Sequence, residues 1–284
     1  MPETTPLIRN ISDTACMAAA YRARENERPD ALFRDPFARR LAGARGEQIA
    51  DTLHESSRHT WAWVTRTWLF DQFITEQIKE GVDMVVNLAA GLDARPYRMT
   101  LPPTLKWIEV DLPDLLADKQ EALRRETPTC ALERIPLDLA NVPARRELFE
   151  QLGQKAQKAL IVTEGLLIYL TAEEVGSLAE DLARPASFQR WVLEVASPGL
   201  LRMLQQQIGE PLSQAGAPLK FGPPEGPEFF TAHRWRPIDV RSMLKTAARL
   251  KRLSFWMRLL SLLPESTGKQ GSRPWSGICL LAKN

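Results

Sequence analysis

The chain has 284 residues, 44% hydrophobic and 25% charged, the proportions of an ordinary globular protein with room for one large α/β domain and an appended subdomain, or for two small domains. A net charge of +2 is too small to mark a nucleic-acid or anionic-membrane binder, and the opening MPETTPLIRN lacks the apolar stretch of a secretory signal. No run reaches 18 apolar residues, so no membrane span is expected, and the odd, widely spaced cysteines at 16, 130 and 279 suit buried thiols in a reducing, cytoplasmic setting better than a disulfide framework or a metal site.

Residues 12–26 carry a helical pattern, with Ser12 or Asp13 available as N-cap. Arg28-Pro29-Asp30 breaks it, and Asp35-Pro36 starts another short helix with proline in its first turn. A long helix is predicted over 57–79, with Trp61, Val64, Trp68 or Leu69, Phe73 and Ile78 along one face and Gly81 closing it. Residues 1–80 therefore form a helical block, on the substrate side, ahead of a second domain over 81–284. In that domain strands are predicted near 83–88, 105–110, 133–138, 159–163 and 190–195, with helices near 113–126, 143–157 and 171–184. Alternation with crossovers of this length makes a parallel sheet with helices on both faces. Residues 197–233 depart from the pattern: six prolines and five glycines mark an inserted cap. Two closing strands, 235–240 and 277–283, flank a helix near 242–253 and bring the sheet to seven strands. FWMRLLSLL (255–263) reads as an amphipathic segment packed on the cap or on a second copy of the chain, not on a membrane.

The stretch DMVVNLAAGLDAR (83–95) organises the rest. A buried strand stops at Ala89-Ala90-Gly91, where almost no side chain fills the crevice beyond the strand ends. Gly91 takes a positive φ without strain and is the expected pivot. About twenty residues on, LKWIEV ends in Asp111, and a carboxylate there is placed to hold ribose hydroxyls. The G-x-G-x-x-G spacing that suits a dinucleotide pyrophosphate is absent, which disfavours an NAD-dependent dehydrogenase. S-adenosyl-L-methionine (SAM) has no phosphate, so a turn with one glycine suffices for it. Such a site needs a cation for the ligand carboxylate and acidic groups for its ammonium and ribose.

NLAAGLDARPYRM, WIEVDLPDLLADK, PLDLA and TEGLLIYLTAEEV, in that order, resemble the leucine carboxyl methyltransferase-like family of SAM-dependent O-methyltransferases. Its bacterial members usually read LGAGLDTRAYRL, EVDLP and TEGLLMYL at these places. The preface SDTACMAAAYRARENERPDALFRDPFARRLAG is similar to that family's amino-terminal helices, so the likeness runs from about Ser12 to the C-terminus. It implies a Rossmann-like class I methyltransferase fold, a mostly parallel α/β sheet of seven strands. It also implies a methyl transfer to a carboxylate or hydroxyl of a small metabolite, such as a natural-product intermediate. Protein C-terminal carboxyl methylation and a non-catalytic SAM- or nucleoside-binding role are the alternatives, and a homodimer is open.

By the same resemblance Arg66, in TRTWLFDQF, grips the SAM carboxylate, although Trp68 stands where many relatives carry a second arginine. Gly91 lies under the amino-acid moiety, with Ala89 in place of the usual first glycine. Asp111 is the choice for the ribose, with Glu109 its rival two residues away on the same side of the strand. Asp138 and Leu139 meet the adenine, unless Asp138 is only a helix cap, and Glu164 stands near the SAM ammonium. Tyr169 faces the acceptor or merely packs. Tyr21 and Arg22, with Arg24, are the substrate-side candidates. If the acceptor is a hydroxyl, His54, His59 or His233 is the base to test, with His233 the first choice.

Overall fold

The computed structural model describes residues 8–54, 60–264, 271 and 273–284. Its strands are β1 (Met84–Leu88), β2 (Lys106–Asp111), β3 (Ala131–Pro136), β4 (Ala159–Thr163), β5 (Phe188–Ala196), β6 (Trp235–Ser242) and β7 (Ser276–Lys283). All join one sheet in the order β3-β2-β1-β4-β5-β7-β6. β1 to β5 pair in parallel, and β7 runs antiparallel between β5 and β6. The seven-stranded, mostly parallel Rossmann-like fold expected from the sequence is therefore the one observed. β1 and β4 lie at its centre and are buried along their whole length, which is why each reads as a largely apolar run, with Asn87 the one break in β1 and Thr163 closing β4.

Alternate residues of these strands face two separate cores. On one face Val86, Leu88, Ile161 and Leu193 meet Phe149 and Leu152 of α6 (Val142–Lys155) and Val175 and Leu182 of α7 (Ala172–Ala183). On the other, Val85, Leu160, Val162 and Val192 meet Leu69, Phe70, Phe73 and Ile74 of α3 (Thr60–Lys79). Each such fully buried apolar side chain contributes about 1.5–3 kcal/mol. The leading helical block is thus not one unit, because α3 flanks the sheet while α1 (Ile11–Asn26) and α2 (Ala38–His54) build a third cluster with Leu92 and Leu115. α1 starts one residue earlier than the sequence suggested, with Asn10 as cap: its side chain accepts from the backbone N–H of Asp13 at 3.1 Å.

The proline-rich stretch after β5 is more regular than expected. α8 (Pro198–Gln214) spans 17 residues, with Ser197 capping it by accepting from Leu200 N–H and Pro198 in its first turn. A proline in the first turn starts a helix rather than breaking one. α8 reaches back to the α1–α2 cluster through Leu212. A 3-10 segment, Gly226–His233, then leads into β6. α9 (Met243–Arg249) follows β6, and α10 (Phe255–Ser261) buries no residue at all, so it does not pack on the cap. Two short helices, α4 (Arg95–Arg98) and α5 (Pro113–Ala122), complete the βα turns after β1 and β2.

Candidate functional site

β1 has β2 on one flank and β4 on the other, so the crevice opens where the chain reverses its direction of sheet growth. The turn after β1 is left-handed twice, at Ala89 (φ 52°) and at Gly91 (φ 49°). Gly91 is the expected pivot; Ala89 holds the same conformation with a Cβ in the way. Asp111, ending β2, accepts from Gly91 N–H at 2.6 Å through one carboxylate oxygen and from Leu112 N–H at 2.7 Å through the other. Burial raises its carboxyl above the usual range, against the opposing pull of those two N–H groups and Lys119. Glu109 is not its rival. That carboxylate is fully buried between Lys119 Nζ at 2.8 Å and Arg134 Nε at 2.9 Å, a structural pairing inside the sheet's flank.

Register brings the next two carboxylates together. β4 pairs Thr163 with Leu193 of β5, so Glu164, just past β4, and Glu194, near the end of β5, lie side by side. Arg66 of α3 spans both, Nε to Glu164 at 3.1 Å and a terminal nitrogen to Glu194 at 3.4 Å, with its guanidinium 4.5 Å above the Trp63 ring. Burial alone would lower the Arg66 pKa, but Glu194 and Glu164 raise it, so the cation is held firmly. Glu194 is pushed up by burial and by the neighbouring Glu164, with Arg66 pulling it down.

A second arginine deepens the cluster. Arg95 is 2% exposed and bonds Asp71 at 2.6 Å, Asp93 at 2.9 Å and Glu164 at 2.8 Å. Arg98 adds a two-pronged contact to Asp71. Glu164 therefore sits between two guanidinium groups. Asp93 also accepts from Asn87 and is held well below the usual carboxylate range: Arg95, Lys119 and Arg98 outweigh the effect of its burial. Sequence reasoning missed Glu194, Arg95, Asp93 and Asp71. A carboxylate in the otherwise apolar run WVLEVA was the available signal for Glu194.

The remaining expectations divide. Leu137 N–H donates to the Asp111 carbonyl at 2.9 Å, which keeps Asp138 and Leu139 alongside the end of β2. Asp138 is exposed and accepts from Ala140 N–H, the local turn that was its alternative reading. Tyr169 lies between Thr14 of α1 and Arg66; burial raises its phenol, which Thr14 and Arg66 partly offset. Tyr21 and Arg22 are corrected. Tyr21 is 2% exposed and stacked on Trp63 at 5.3 Å, a packing residue between α1 and α3. Arg22 donates to Asp35 and, at 2.6 Å, to the Leu92 carbonyl, so it fastens α1 to the crevice turn.

His233 is also corrected. β6 pairs Trp235 with Lys283 while β5 pairs Arg190 with Ala282, so His233 lies beyond the end of the sheet from which β5 starts, opposite the crevice. Its ring rests on Gly176 of α7 and Phe229, 3.2 Å from Glu180. His59 and the side chain of His54 lie outside the described residues.

A family model described as leucine carboxyl methyltransferase matches residues 15–183. A protein of Parafrankia sp. (strain EAN1pec) named "Putative S-adenosyl-L-methionine-dependent methyltransferase" is 32% identical over 245 residues, 82% of this chain and 79% of its own. A Frankia alni protein with the same designation is 32% identical over 253 residues, 84% of this chain and 88% of its own. Among solved structures, a DUF574 family protein from Streptomyces avermitilis superposes with a TM-score of 0.63 at 8% identity, covering 95% of this chain and 97% of that one. A Thermobifida fusca protein described as a "putative methyltransferase" gives 0.58 at 14% identity, covering 98% and 96%. At such identities the two structures show a shared fold.

Proposed function

We propose, from the premise that this chain belongs to the leucine carboxyl methyltransferase family and is a SAM-dependent methyltransferase, that its acceptor is a small molecule and that the methylated group is a hydroxyl. The donor set of the crevice fits SAM: two buried cations, Arg66 and Arg95, and two carboxylates, Glu164 and Glu194, gather by the strand ends, beside a third carboxylate bonded to a glycine turn. Arg66 and Glu164 are each other's counterions, and an amino-acid zwitterion offers each of them a partner of opposite charge. In this reading Arg66 takes the cofactor carboxylate, Glu164 the ammonium and Asp111 the ribose. Ala89 and Gly91 form the floor, and Asp138 and Leu139 lie at the adenine end. When bound, the cofactor supplies a methyl group activated by its sulfonium.

The observation that carries the hydroxyl is Glu194. It is the charged wall of a small cavity of about 40 Å³ whose other walls include Leu167, Ile168, Leu200, Leu204 and Phe221. That space admits the reacting end of an acceptor, and the apolar walls suit a ring or chain behind it. A carboxylate acceptor there would face Glu194 at a cost of about 4 kcal/mol for like charges 4 Å apart at an effective dielectric near 20. A hydroxyl instead donates its proton to Glu194. As the new C–O bond forms, that proton passes to the Glu194 carboxylate and leaves to solvent afterwards, which balances charge without a histidine. Tyr169 bonds Thr14 of α1 beside Arg66 and so ties α1 to this cluster.

Methyl-labelled SAM offered with matched phenols, alcohols and carboxylic acids tests this reading. An ether keeps its label in alkali, whereas a methyl ester releases labelled methanol. Alkali-stable label on a hydroxyl acceptor is expected; label transferred only to acids, and released by alkali, would return the site to the carboxyl chemistry in the family's name.

A further inference from the structure

Residues 241–264 carry six cations, Arg241, Lys245, Arg249, Lys251, Arg252 and Arg258, and no acidic side chain, in a chain whose net charge is only +2. The rest of the chain is therefore net negative: 31 cations remain against 35 acids. The same segment holds the chief exposed apolar patch among the described residues. Trp256 is 73% exposed and Leu262 79%, and Phe255, Leu259, Leu260 and Leu263 are each at least 45% exposed. Exposed apolar surface gathered on one element, rather than scattered singly, marks an interaction site.

We propose that α10 and its flanks form a docking face for an anionic lipid surface. Arg241 pairs with Glu76 and Asp239, and Arg252 with Glu25 and Asp30. These contacts anchor the segment to α3 and to the end of α1. Lys245, Arg249, Lys251 and Arg258 are exposed around the apolar side chains. An open groove lined by Lys245, Arg249, Ser261 and Leu262 lies between α9 and α10, open to a phosphate-bearing headgroup.

Aromatic and leucine side chains interleaved with cations are the composition of a helix lying in the bilayer interface, where rings sit at headgroup level and cations meet anionic lipid. Charge decides against a second copy of the chain: two identical patches would oppose four exposed cations with four. The face also lies near the crevice. β6 ends at Ser242, opposite Gly277, and Ser276 is opposite Ala196 at the carboxyl end of β5, so α9 leaves the sheet at the crevice end.

The full-length protein is tested by flotation with vesicles of phosphatidylcholine alone or with about a third phosphatidylglycerol, at low and high salt. At low salt, binding to the anionic vesicles is expected to exceed binding to the neutral ones by about tenfold or more, since each cation near such a surface adds to the attraction. High salt should abolish the difference. The doubly substituted Phe255→Ser, Trp256→Ser protein should lose the binding while its melting temperature and S-adenosylhomocysteine affinity stay unchanged, because neither side chain is buried. Lys251→Glu, Arg258→Glu should lose the preference for anionic vesicles. Equal recovery with both vesicle types, no recovery with either, or a dimer in solution that dissociates on the Trp256 change would each overturn the proposal.

Discussion

Ala89 holds a left-handed backbone at φ 52°. For an alanine that conformation costs about 1–2 kcal/mol, and glycine's own entropic cost is about 0.5–1 kcal/mol. Ala89→Gly should therefore stabilise the protein by about 0.5–1 kcal/mol, raising its melting temperature by about 1–3 °C; a lower melting temperature would show the turn to be unstrained. Asp111 and Glu109 separate by the opposite kind of test. Lys119→Met leaves the fully buried Glu109 with Arg134 alone and should cost about 3 kcal/mol in denaturant unfolding. S-adenosylhomocysteine affinity of the folded protein should stay as it was. Lost affinity with unchanged stability would move Glu109 into the site.

Glu194 gives a pH-dependent prediction. Because burial lifts its folded-state pKa, the folded protein holds that proton more tightly than the unfolded chain does. Stability contributed by the protonated group is thus present below the ordinary carboxylate range and lost as pH rises through the raised value. Glu194→Gln should match the wild type in thermal unfolding near pH 4 and exceed it at pH 7, while methyl transfer to a hydroxyl acceptor falls at every pH. A variant less stable than the wild type at pH 7 would mean that the Arg66 pairing outweighs the cost of burying the charge.

Among the elements, α1 and α2 close the crevice by approaching each other. A Cβ at Gly46 of α2 would lie 2.5 Å from the backbone carbonyl oxygen of Cys16 in α1, and a Cβ at Gly91 would meet Ala15 at 3.4 Å. Gly46→Ala must therefore push the helices apart, at about 1–3 kcal/mol, and α1 carries Ala15 and Thr14 with it. Reduced melting temperature together with weaker S-adenosylhomocysteine binding is the expected pair of results in scanning fluorimetry and calorimetry. Full retention of both would show that α1 is not clamped. α8 shows how a sequence signal misleads at this scale. Pro198 and Pro211 read as breakers, yet Ser197 caps the helix that Pro198 starts, and Pro211 lies within its last turn.

Over the whole molecule, the sheet was legible because its central strands are buried on both faces and therefore carry largely apolar runs. The strand-end residues Gly91, Asp111 and Glu164 were legible for a related reason, since small or acidic residues interrupt those runs just where the crevice lies. What the sequence hid depends on contacts between distant segments. Arg95 bonds Asp71 of α3 and Glu164 after β4, and Glu194 is set beside Glu164 only by strand register. His233 was misplaced because a histidine's worth as a base depends on which end of the sheet it occupies, and the antiparallel turn of β7 decides that.

Methyl transfer by this chain requires a crevice made for a sulfonium-bearing amino acid joined to adenosine. Calorimetric titration with S-adenosylhomocysteine tests it most directly. One equivalent should bind the wild-type protein, and Arg66→Ala and Asp111→Asn should each weaken binding by about tenfold or more, or about 1.4 kcal/mol. No heat of binding to the wild type, or affinity untouched by both substitutions, would contradict it.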